Sequence, residues 1–103
     1  MAGVTPRFTP EALDDIERIH ASLARRQTPA RAYKLASLLR VAINRLPAFP
    51  LMGRPGRLEG TRELVVPRLP YVVIYPVRGN DVIIQRVLHQ AQQWPPAEDA
   101  DQV

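Results

Sequence analysis

Arginine is the residue in this chain best suited to chemistry. The stretch GRPGRLEGTRELVVP, residues 53–67, sets Arg54, Arg57 and Arg62 within nine positions, among glycines and prolines. A guanidinium stays charged and forks onto two oxygens, so such a cluster suits phosphates or carboxylates. Thirteen of the fourteen basic residues are Arg, the other being Lys34, against ten acids, for a net charge of +4. Residues 25–68 hold ten of these bases and only two acids, Glu59 and Glu63. The remaining acids gather mainly at Glu11, Asp14, Asp15 and Glu17, and again at Glu98, Asp99 and Asp101. This asymmetry points to an acidic partner, either a phosphate backbone or an acidic protein. For Arg25, Arg26, Arg31, Lys34, Arg40 and Arg45 a solvated helix face is the simpler reading.

Other side chains add options. His89 follows the last apolar run and reads, on residues alone, as a capped or core-edge histidine. Tyr71 and Tyr75 could stack on bases or simply cover a sheet. Trp94, in AQQWPP, reads as a hydrophobic plug. Cysteine is absent, which excludes disulfides and thiolate metal sites, and the two histidines lie far apart, which disfavours a structural metal. No apolar run approaches the ~20 residues of a membrane span. The first residues lack a signal pattern. A cytoplasmic location fits.

These groups need elements to position them. The chain has 103 residues, 46% of them hydrophobic, which is enough for one modest core. One domain is expected over residues 1–96, with 97–103 an acidic, flexible tail. Residues 4–8, VTPRF, read as a short edge strand because Pro6 cannot donate to a ladder. Thr9-Pro10 and Thr28-Pro29 are two identical helix starts, an N-cap followed by proline in the first turn. The first helix should end near Arg26. The second carries Ala32, Leu35, Leu38, Leu39, Ala42, Ile43 and Leu46 at helical spacing, and Pro47 and Pro50 stop it. Two to four residues between them predict an antiparallel hairpin. Residues 49–60 read as a loop. Three strands follow, at 61–66, 71–77 and 82–88, with Gly79-Asn80 as a hairpin turn.

The turn positions set a register. Val77 should face Val82, Tyr75 face Ile84 and Val73 face Arg86, while Leu64 faces Val73 and Arg62 faces Tyr75. Alternation then puts Arg62, Arg86, Tyr71 and Tyr75 on one face and Glu63, Val65, Ile74 and Val87 on the other. Both faces are apolar at their centres, and a single helical hairpin covers one. The helices are expected on the Val65/Ile74/Val87 side. The face bearing Arg62 and Arg86 would then stay partly exposed, as partner sites do.

Residues 53–95, from GRPGRLEGTRELVVP through RVLHQAQQWP, resemble the C-terminal half of the RelE/ParE superfamily of bacterial toxins. The short strand, FTPEALDDIERI and the second amphipathic helix are similar to its front half, so the likeness spans about residues 4–95. It implies an α+β fold: a short strand, a two-helix hairpin, then a three-stranded antiparallel sheet packed on the helices. It also implies a growth-arresting, plasmid-stabilising toxin of a type II pair, neutralised by a cognate antitoxin and using no metal or cofactor. RelE-like members cleave mRNA on the ribosome; ParE-like members inhibit DNA gyrase and cleave nothing. Under the RelE-like reading, Arg62 and Arg86 would stabilise the phosphorane and His89 would serve as acid or base. Glu63 is the nearest carboxylate base. Arg54 and Arg57 would contact phosphates or the antitoxin. The chain departs from the nuclease pattern: it lacks the supporting lysine pair, no tyrosine follows His89, and Pro76 replaces a polar strand residue. Ribosome-dependent cleavage is the leading expectation and gyrase inhibition the alternative.

Overall fold

The computed structural model describes residues 5–79 and 81–96. The acidic residues 97–103 and the turn residue Asn80 lie outside that range. The chain runs β1 (Arg7–Phe8), α1 (Pro10–Arg26), α2 (Pro29–Asn44), β2 (Arg54–Pro55), β3 (Thr61–Val65), β4 (Tyr71–Pro76), β5 (Ile83–Ile84) and β6 (Arg86–His89). The fold is α+β, with a four-stranded sheet in the order β2-β3-β4-β6 and every neighbouring pair antiparallel.

Both helix starts form as their sequence dictates. The Thr9 hydroxyl accepts from the Ala12 N–H at 3.0 Å, and the Thr28 hydroxyl accepts from the Arg31 N–H at 3.2 Å. Each satisfies an amide that the first helical turn leaves orphaned. Glu11 in the first turn of α1 and Arg25 and Arg26 in its last suit the helix dipole. Only Gln27 and Thr28 separate α1 from α2; the two helices touch each other, and Ala12, Ile19, Leu23, Leu39, Ala42 and Ile43 enter the common core with the sheet.

The β3–β4 register is the expected one: Arg62 faces Tyr75 and Leu64 faces Val73. The other hairpin departs from expectation. Arg78 bridges Asp81, around a left-handed Gly79 at φ 56°, as the turn requires. Beyond it the register slips by one residue, so Ile74 faces Arg86 and Val73 faces Val87. Gln85 is the inserted residue, its N–H still reaching the Ile74 carbonyl at 2.8 Å. It splits the expected strand 82–88 into β5 and β6, as a bulge does. Freed from the main sheet, β5 pairs in parallel with β1, and the Thr9 hydroxyl donates to the Gln85 carbonyl at 2.8 Å.

The assignment of faces needs two corrections, one in the side the helices cover and one, from the slip, in the place of Arg86. The helices cover the side bearing Leu64, Val66, Val73, Tyr75 and Val87, not the Val65/Ile74 side. Tyr75, expected on an open face, is fully buried in the core. Arg86 moves to the face opposite Arg62. The second face is also covered, from within the chain: Ile74 and Leu88 are buried, and Arg57, Gln90, Gln92 and Trp94 close over them. The loop reading of 49–60 needs one amendment, since Arg54–Pro55 pairs with Arg62–Glu63 and adds a fourth strand. No described helix is long and apolar enough to cross a membrane.

Candidate functional site

Three clusters hold the candidate arginines, the second and third meeting at Trp94. In the first, Arg62 projects from β3 beside Tyr75. Its Nη1 donates to the Gly53 carbonyl at 2.7 Å and reaches the Leu51 carbonyl at 3.4 Å. The Tyr75 hydroxyl donates to the Pro50 carbonyl at 2.7 Å and accepts from the Gly53 N–H at 2.9 Å. A Cβ on Gly53 would sit 2.7 Å from that hydroxyl oxygen, so the close approach requires glycine. Burial pushes the Tyr75 phenol above its ordinary value, while the Gly53 N–H and the Arg62 charge pull it back.

The second cluster lies on the opposite face. Glu63 is buried and accepts from Arg54 Nη2 at 3.2 Å and from the Arg57 backbone N–H at 2.9 Å. Arg57 Nη1 donates to the Trp94 carbonyl at 2.8 Å. The arginines of the 53–60 loop thus hold a buried carboxylate and the C-terminal segment in place. Glu63 points inward, as its alternation implied, with its oxygens already occupied.

Arg86 forms the third cluster, at the free edge of β6. Its Nε and Nη2 donate to the two oxygens of Asp15 at 2.7 and 2.9 Å. The Val87 N–H adds a third bond to Asp15 at 2.9 Å. This fork raises the Arg86 pKa above its ordinary value, against the opposing effect of burial. The guanidinium carbon also lies 5.9 Å from the Trp94 ring centre, a cation–π distance. His89 is exposed; its Nδ1 accepts from the Ala91 N–H at 3.0 Å, and its ring meets Tyr71 edge-on at 5.7 Å.

Arg62, Arg86 and His89 therefore do not converge. Arg62 sits opposite Tyr75 and His89 opposite Tyr71, four residues apart on β4, about 13 Å along the strand. Arg86 is two strands from Arg62, about 10 Å, and on the other face. Among the described residues no group of three or more potential metal ligands gathers. Sequence reasoning missed Asp15, although a signal was there. Ala12, Asp15, Ile19 and Leu23 share one helical stripe, so an acid on that stripe must find a buried cation.

The described fold is a helical hairpin packed on a four-stranded antiparallel sheet, and comparison with known proteins places it in a family. Residues 7–94 match the family described as ParE toxin of type II toxin-antitoxin system, parDE, and the chain belongs to that family. It is 37% identical over 89 residues to a Sinorhizobium fredii protein named "Putative toxin Y4kP", an alignment covering 86% of this chain and 91% of that one. Its fold matches a chain of the chromosomal ParDE system from P. aeruginosa with a TM-score of 0.75, at 23% identity, over 84% of this chain and 95% of the other. Membership implies a cognate antitoxin as partner.

Proposed function

We propose that this toxin arrests growth by binding and inhibiting a protein target, DNA gyrase, and that it does not cleave RNA. The observation that carries this reading is the commitment of each candidate catalytic group to the fold. Cleavage through a 2′-hydroxyl needs cationic donors within about 3 Å of one phosphate, plus a base. Arg86 is locked onto Asp15, Arg62 braces the 50–53 loop, Glu63 is enclosed, and His89 stands apart. A protein target needs no such convergence, only a shaped and charged surface. Membership of the ParE family supports the same choice.

The test uses purified toxin in two assays. Added to gyrase and relaxed plasmid, it should block supercoiling. Added to translating ribosomes, it should leave the message uncut by primer extension. Cleavage of ribosome-bound mRNA with supercoiling unimpaired would overturn the proposal and restore the endonuclease reading.

A further inference from the structure

The loop after α2 does something unusual with its apolar residues. Phe49, Leu51 and Met52 are 61%, 63% and 43% exposed. They are not on a slack segment. Their backbone is pinned at Pro50, Leu51 and Gly53 by the Tyr75 hydroxyl and the Arg62 guanidinium. Both hydrogen bonds of a core tyrosine hydroxyl, and Nη1 of the strand arginine beside it, go to this loop. The pinning does not bury the apolar side chains. It fixes their direction, and fixed groups lose less entropy when they bind.

We infer that Phe49, Leu51 and Met52 form a preorganised prong that inserts into an apolar pocket on the toxin's target, a pocket rimmed by carboxylates. This rests on the gyrase reading above and assigns the contact surface for it. Apolar side chains that stand out from a fixed loop fit a concave apolar pocket, the form that buried anchor residues take in protein interfaces. The carboxylate rim follows from charge: exposed Arg45 precedes the prong, and Arg54 follows it, its side chain 55% exposed although it also pairs with Glu63. An acidic rim would draw these cations in and speed encounter. The prong is distinct from the cleft of about 440 Å³ lined by Phe8, Leu13, Ile16, Tyr33 and Leu39, which is concave and receives rather than inserts.

The experiment compares wild type, Leu51→Glu and Arg45→Glu, all of full length. Both altered side chains are exposed, so each variant should keep the wild-type far-UV circular dichroism, with Arg45→Glu losing only the small share of stability that an anion at the C-terminus of α2 costs. Leu51→Glu should require at least tenfold more toxin for half-inhibition of supercoiling. Arg45→Glu should weaken inhibition several-fold, with a flatter dependence on salt. Both should bind the cognate antitoxin as wild type does. Unchanged inhibition by folded Leu51→Glu overturns the inference; so does selective loss of antitoxin binding, which would give the prong to the antitoxin. If wild type itself spares gyrase, the gyrase reading falls separately. The prong is then judged on growth arrest, which Leu51→Glu should abolish when expressed without antitoxin, and persistent arrest overturns it.

Discussion

At the scale of single residues, what matters is how the charges are used. A buried carboxylate costs several kcal/mol unless it is fully partnered. Asp15 gains that partnership from both arms of Arg86 and the Val87 amide, with Arg18 at 3.6 Å on its exposed side. Removing the charge strands a half-buried guanidinium. Asp15→Asn should therefore cost about 3 kcal/mol, the lower end for breaking a buried pair. In a domain of this size that lowers Tm by more than about 10 °C, measurable by thermal denaturation. The sequence shows thirteen arginines but not which of them have partners, since partners such as Asp15 for Arg86 lie far along the chain. That is why Arg62 and Arg86 look alike in sequence and differ in structure.

At the scale of elements, local signals proved reliable and long-range ones did not. The Thr-Pro starts place both helices, because cap chemistry lies within three residues. The PRLP connection sets the β3–β4 register, with the Val66 N–H closing onto the Tyr71 carbonyl at 3.0 Å. The Gln85 bulge was invisible, since both sheet faces are apolar and alternation cannot register one inserted residue. That single insertion moves Arg86 away from the face of Arg62, while the side the helices choose is a separate matter that two apolar faces leave undecided. The short β2 was hidden by its proline and glycines. The loop leading to it depends on β4, and Tyr75→Phe tests that dependence. It should cost about 1–2 kcal/mol by leaving the Gly53 amide and Pro50 carbonyl without their partner. It should also change the alkaline limb. The phenol pKa is raised in the fold, so the stability Tyr75 contributes is intact below the ordinary value of 10.0 and declines as pH rises beyond it. Denaturant titrations above pH 10 should show that decline in wild type and a smaller one in Tyr75→Phe.

For the whole molecule, the sheet is sandwiched unequally. Two helices cover one face, and a single turn of chain centred on Trp94 covers the other. The apolar composition of the second face was legible in sequence, but its cover was expected from a partner. Trp94 reads in sequence as a plug, and in the fold it is partly buried with Arg57 and Arg86 on either side. It is the only tryptophan, so its fluorescence reports on this cover alone. Arg57→Ala should shift the Trp94 emission to longer wavelength while far-UV circular dichroism stays constant. An unshifted spectrum would mean that the ring holds its place without the arginine.

The pairing of β1 with β5 bears on how the protein is made. Arg7 and Thr9 donate to the Val82 and Ile84 carbonyls, and Asp15 waits for a partner seventy-one positions away. Closures of such long reach slow folding, because loop entropy is lost before any contact rewards it. A nascent chain halted before residue 82 lacks the carbonyls that hold its first strand and the arginine that forks onto Asp15. The fold can therefore close only after β5 and β6 have been made.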